Sequence, residues 1–305
     1  MAHINHALAR PKRATWLTVE RRQALWGALF ALPAVVFFLG MFAYPLAYTF
    51  FLSLHHWDLI SPPTWVGLDN YQFILQDPEF QNSVLVTLYY VFGVCVPLVL
   101  LGLLLAAFFN QNFRLRQLSL TVFYVPVVVS LTVWTILWAL VLNPSYGLLT
   151  LVTDHLGFHY IRWLSDPNLA MPSLILLSIW KGLPYYTVIL LAGMRAIPVD
   201  YYEAARVDGA NARQTFLRIT LPLLRPILLY VVVISVLVAF QVFTPSYLLT
   251  HGGPGSATRV LPLYIYETAF SDLRMGDAAT ASVIMFAMML GITVIQLRLL
   301  RSDQR

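Results

Sequence analysis

Residues 83–109 read SVLVTLYYVFGVCVPLVLLGLLLAAFF, and not one of them carries a formal charge. As a helix this stretch would be about 40 Å long, more than the roughly 30 Å of hydrocarbon in a bilayer. Barrel strands would instead alternate apolar and polar residues over about ten positions, and the unbroken run from Val96 to Phe109 excludes that pattern. Five more runs have the same character: Trp26 to Leu54, Leu118 to Leu142, Pro172 to Met194, Pro226 to Leu249 and Ala278 to Leu297. The six runs share a single formal charge, Lys181. The expected fold is an all-α polytopic membrane protein with six transmembrane helices. It divides into a basic N-terminal segment (1–25), the six-span body (26–297) and a short tail (298–305).

Composition agrees. Of the 305 residues 59% are hydrophobic and 11% charged, with a mean hydropathy of +0.72. A soluble domain carries about 25% charge, so soluble enzymes, nucleic-acid-binding domains and disordered chains are poor fits. The first run is too long for a signal-peptide core and lacks a small-residue cleavage site near its end. Cys95 is the only cysteine, which leaves no internal disulfide.

The net charge of +5 does not imply a nucleic-acid partner, because the basic residues sort by connection. Fifteen lie in alternate segments, including Arg10, Lys12, Arg13, Arg21 and Arg22 before the first span, five arginines between the fourth and fifth, and three in the tail. The intervening connections hold three basic residues (Arg162, Arg259, Arg274) against nine acidic ones. Lys and Arg gather on the cytoplasmic side, so both termini are expected there.

One connection differs from the rest. Residues 197–226, between spans four and five, are far more numerous than the two to eight or so that join neighbouring helices. They read as two short helices. Asp200 and Glu203 have capping-box spacing, Gly209 suits the left-handed residue that ends a helix, and a second helix spans about Asn211 to Ile219 before Pro222 and Pro226 separate it from the next span. A docking partner outside the bilayer is expected.

Within this connection, Glu203-Ala204-Ala205, Asp208-Gly209-Ala210, Phe216, Ile219, Leu221-Pro222 and Pro226 resemble the signature loop of ABC importer permease subunits. Other segments resemble the sugar branch of that family: Val66 to Tyr71, Ile179-Trp180-Lys181, Gly252-Gly253-Pro254, Thr258, Tyr264 to Tyr266, Ala269-Phe270, Gly276 and Ala278-Ala279. The resemblance implies a multi-pass subunit of a bacterial plasma (inner) membrane that imports a sugar, oligosaccharide or related polyol. Its loop would form coupling helices seated on a cytoplasmic ATPase, with Glu203, Ala204, Ala205, Asp208, Gly209, Ala210, Phe216, Leu221 and Pro222 as the coupling residues. The implied partners are two copies of that ATPase, a second permease of different sequence, an extracytoplasmic substrate-binding protein and membrane lipid, with no nucleic acid. The maltose-type member carries extra N-terminal spans and a large external insertion. This chain is more similar to the six-span subunits for lactose, multiple sugars or glycerol phosphate.

No G-x-x-x-x-G-K-[ST] phosphate loop occurs. The chain is therefore not expected to bind ATP by that route, and the resemblance implies that it is no enzyme and holds no cofactor, with ATP and Mg on the partner ATPase. Force would reach the spans by rigid-body motion of the coupling helices. Lys181 should face the bundle interior, a watery cavity or a partner. It could bond a sugar hydroxyl or an anionic group, satisfy carbonyls freed near Pro184, or snorkel outward. Aromatic faces with scattered polar groups suit sugars, which makes Trp180, Tyr185, Tyr89, Trp138, Phe240, Gln241 and Phe243 candidates for the path. Aromatic residues also anchor helices at bilayer interfaces. His55, His56 and Asp58, or His155 with His159, offer too few convergent ligands for a metal site, so none is expected. The alternative class is a secondary transporter driven by an ion gradient, which the absence of Asp and Glu from all six runs disfavours.

Overall fold

The computed structural model describes residues 16–157 and 161–301. Arg10, Lys12, Arg13, Arg305 and His159 lie outside them. Apart from a two-residue antiparallel ribbon, in which β1 (His55–His56) pairs with β2 (Thr64–Trp65), the described elements are helical. They comprise five helices long and apolar enough to cross a membrane, or six spans if one bent pair counts as one. The chain forms two compact units, residues 1–51 and 52–305.

In the first unit, α1 (Trp16–Phe38) runs through a π-helical turn, Leu39–Ala43, into α2 (Tyr44–Ser53). The apolar part covers Trp26–Ser53, and its large side chains, such as Phe30 and Phe37, are exposed as a lipid-facing helix requires. The π turn lies immediately before Pro45. A proline ring clashes with the carbonyl four residues back, and one extra residue in the preceding turn relieves that clash without ending the helix.

The second unit begins at Leu52. It continues through α3 (Asp69–Gln76), α4 (Pro78–Asn110), α5 (Arg116–Val128), α6 (Leu131–Val141), α7 (Leu148–His155) and α8 (Pro167–Arg195). Then come α9 (Val199–Val207), α10 (Ala212–Thr215), α11 (Leu221–Phe240), α12 (Leu261–Phe270) and α13 (Met275–Arg301). The α4 and α8 helices pack along one another, with α11 against both. Their shared core includes Val94, Leu98, Leu174, Leu190, Leu224 and Val231.

Both α4 and α8 start a turn before the apolar runs that announce them. Each opens on Asp-Pro: the Asp77 carboxylate accepts from the Glu79 N–H at 2.9 Å, and the Asp166 carboxylate from the Asn168 N–H at 2.8 Å. Proline then supplies a first helical residue with no N–H to satisfy.

Two spans depart from expectation. The third is broken, because α5 and α6 meet at 95°. The fifth is helical only to Phe240, where Gln241 is an exposed end residue rather than a mid-span amide. A further π turn, Ser246–Thr250, follows Pro245. At its other end the fifth span is longer than its apolar run. Helix α10, a π turn at Phe216–Thr220 and α11 run together from Ala212 to Phe240. Pro222 and Pro226 therefore separate nothing, since the π turn precedes Pro222 as its counterpart precedes Pro45.

Candidate functional site

Residues 197–226 form a helical pair with one bare face and one anchored face. Helix α9 begins directly after Pro198, so Asp200 lies in its first turn and makes no cap; Pro198 holds the N-cap position. The capping box occurs instead at Asn211 and Gln214, each side chain accepting from the other's backbone N–H at 2.9 Å. Gly209 has φ of +71°. The Ala210 N–H reaches the Ala205 carbonyl at 2.9 Å and the Gly209 N–H reaches Arg206 at 3.1 Å, which is the double bond pattern of a Schellman stop. Glu203, Ala204, Asp208 and Gly209 are exposed, while Ala205 is buried and Ala210, Phe216, Leu221 and Pro222 are half-buried. Val207, not singled out from the sequence, is 89% exposed. Its signal was an apolar residue four places after Glu203, on the helix face meant for water. The Tyr202 and Thr220 hydroxyls meet at 3.2 Å and tie α9 to the base of α11.

The residues considered for a path fall into separate groups. Trp134, Trp138 and Trp180 form a three-ring cluster with centroids 5.0 to 5.8 Å apart. Beside it the Lys181 ammonium donates to the Pro126 carbonyl at 2.9 Å and the Val129 carbonyl at 2.6 Å. Lys181 thus satisfies backbone carbonyls freed at the break of the third span, not near Pro184. Tyr185 is 39% exposed and interacts with Tyr230 of α11 and Tyr124 of α5. Tyr124 also lines a groove of about 610 Å³ along α5 and α8, with Gln117, Thr121 and Arg195. Sequence reading missed Tyr124 and Tyr230, because residues on three helices share no spacing. Phe240, at 1% exposure, is core. Phe243 belongs to another cluster with Tyr247 and Tyr266, at 5.2 and 5.3 Å. Tyr89 is exposed on α4, away from its core-facing neighbour Tyr90.

A third group locks the segment after the first span to the start of α13. Asn70 donates to the carbonyls of Ser53 (3.1 Å) and His55 (2.9 Å), and Thr280 Oγ1 donates to Ser53 at 3.0 Å. The Tyr71 and Ser53 hydroxyls meet at 2.8 Å. Gly276 passes so close that a Cβ there would lie 2.1 Å from the His55 carbonyl oxygen. The His55 ring packs edge-on against Trp65. Nearby, Asp58 takes the backbone N–H groups of Ser61 and Ile60 and the Ser61 hydroxyl, which hold its carboxyl below the usual range. Arg259 bridges Glu79 and Glu267, each at 2.6 Å. Burial works against its charge, but the two carboxylates outweigh that and raise its pKa. The Thr250 and Thr258 hydroxyls meet at 2.6 Å, and Thr258 Oγ1 donates to the Gly253 carbonyl at 2.7 Å. Of the residues in the sugar-branch resemblance, Asn70, Tyr71, Thr258 and Gly276 therefore act on backbone and on neighbouring hydroxyls.

Comparison with known proteins gives a consistent result. The family described as binding-protein-dependent transport system inner membrane component matches residues 98–305. The trehalose/maltose transport system permease protein MalF of Thermococcus litoralis is 35% identical over 288 residues, spanning 92% of this chain and 95% of that one. The sulfoquinovosyl glycerol transport system permease protein SmoG of Agrobacterium fabrum is 33% identical over 298 residues, 96% of this chain and 95% of its own. Among solved structures, a chain of a bacterial ABC transporter for import of the acidic polysaccharide alginate superposes with a TM-score of 0.80 and 25% identity, covering 95% of this chain and 99% of that one.

Proposed function

Since the chain belongs to the family of binding-protein-dependent transport system inner membrane components, we propose that it forms half of the path for a sugar or oligosaccharide and takes its drive from an ATPase docked on residues 197–226. It is the multi-pass inner-membrane permease subunit of an ABC importer, and such subunits carry no ATPase activity of their own. Its system includes a periplasmic binding protein, as the alginate transporter does. The sugar class is supported by relatives named for trehalose and maltose, arabinooligosaccharides and starch degradation products.

The proposed topology has both termini and the 197–226 handle in the cytoplasm. Two ATPase copies hold ATP and Mg, and a second, different permease completes the path. One observation carries the coupling role: the helical pair bares Glu203, Val207 and Asp208 while α10 continues without interruption into α11. An ATPase surface closing on the bare face moves a rod, not a tether, and the spans follow as a rigid body. Along the path, Tyr185, Tyr230 and Tyr124 combine ring faces with hydroxyls, the chemistry that a sugar's C–H faces and hydroxyls require.

The test is reconstitution of the whole importer with Glu203→Lys or Gly209→Leu. Substrate-stimulated ATP hydrolysis and uptake should both collapse. Wild-type rates in both variants would remove the coupling role.

A further inference from the structure

The break in the third span creates a local deficit that one distant side chain fills. Ending α5 at Val128 leaves its last carbonyls without helical partners. In a continuous helix the Ser130 N–H would serve Pro126 and the Val133 N–H would serve Val129. Here Val129 is extended, Ser130 caps the next helix, and the Val133 N–H goes to the Ser130 Oγ at 3.3 Å. An orphaned carbonyl at membrane depth is costly, since lipid offers it no donor.

The Lys181 ammonium on α8 takes both carbonyls, at 2.9 and 2.6 Å. It also lies at the end of α5 where the helix dipole is negative. On its other side it is 5.6 Å from the ring centroid of Trp134, in the first turn of α6, where an aromatic face attracts a cation. Trp134 is held in turn by Trp138 and Trp180. One charged group therefore grips both arms of the break, α5 through carbonyls and α6 through a ring. Helix α6 also packs against the π turn Ser246–Thr250. The angle at residue 129 thereby sets how one interrupted span covers the other.

We infer that Lys181 is a positioning residue: it fixes the angle between α5 and α6, and through it the seat of α6 on the Ser246–Thr250 turn, without contacting the transported molecule. Two of its three N–H donors are already committed to backbone. The inference deepens the transporter reading and rests on it.

The experiment uses the reconstituted importer with a spin-label pair at Val122→Cys on α5 and Leu137→Cys on α6, both exposed positions, in a Cys95→Ser background. Lys181→Met should shift or broaden the label–label distance distribution. It should also lower maximal uptake, with KM for the loaded binding protein unchanged. Lys181→Arg, which keeps charge and donors, should restore both readings. If Lys181→Met fails to assemble, Lys181→Gln is read by the same two criteria. An unaltered distance distribution overturns the inference, and a raised KM with unaltered distances reassigns Lys181 to substrate contact. A shifted distribution in an importer whose unsubstituted form moves no sugar upholds the pin and defeats the transport reading.

Discussion

Gly276 has no room for a side chain. With the His55 carbonyl oxygen 2.1 Å from where a Cβ would stand, even alanine must push α13 away from the ribbon, and that movement strains the Asn70 and Thr280 bonds to the same segment. Overpacking of this kind costs about 1 to 3 kcal/mol. Gly276→Ala should lower the thermal midpoint of the detergent-purified protein by several degrees, as tryptophan fluorescence would record. Asn70→Leu should do likewise, because it removes the two hydrogen bonds that Asn70 gives to the Ser53 and His55 carbonyls, each worth about 1 kcal/mol. The sequence marked both residues through a family resemblance but gave no reason for them. For Gly276 the reason is a contact with His55 more than two hundred positions away, and for Asn70 it is two backbone carbonyls 15 and 17 residues back, which no helical or strand period encodes.

At the level of single elements, the handle depends on its turn. Gly209 has open space where a Cβ would go, so only its φ of +71° forbids other residues. Asparagine tolerates that region and β-branched residues do not. Gly209→Asn should keep near-wild-type stimulated ATP hydrolysis in the assembled importer, whereas Gly209→Val should lose most of it. Equal losses in both would show that the side chain and not the backbone matters. The stop at Gly209 was readable because glycine at the end of a short amphipathic pattern has one main use. The start was not: Asp200/Glu203 and Asn211/Gln214 both fit the capping spacing, and Pro198 decided by letting the chain turn helical two residues early. The spans were legible because roughly twenty apolar residues have no other home. Their interruptions were not. Pro126 precedes a sharp break, yet Pro222 sits in a continuous helix, and the difference lies in a π turn and in a lysine that is distant in sequence.

For the whole molecule, dependence on partners is the feature to test. Membrane vesicles containing this chain and its companion permease, but no ATPase, should show no uptake above background whatever ion gradient is imposed. Adding the ATPase with the loaded binding protein should restore uptake that a protonophore leaves intact. Gradient-driven accumulation without the ATPase would revive the secondary-transporter alternative. Of the path itself the sequence offered scattered aromatics. Folding splits them among a tryptophan wall at the break, a tyrosine group on α5, α8 and α11, and the Phe243 cluster, because residues far apart in the chain share a surface only once the helices are packed.

The unbroken course from Ala212 to Phe240 has a mechanical consequence. Its 29 residues make a lever about 43 Å long at the usual helical rise. Turned at one end by about 5°, it sweeps the other through nearly 4 Å, more than the ~3 Å length of a hydrogen bond. Under the proposed coupling role, a small swivel at the handle would be geared up, inside one element, into a stroke able to unseat what lies around Gln241.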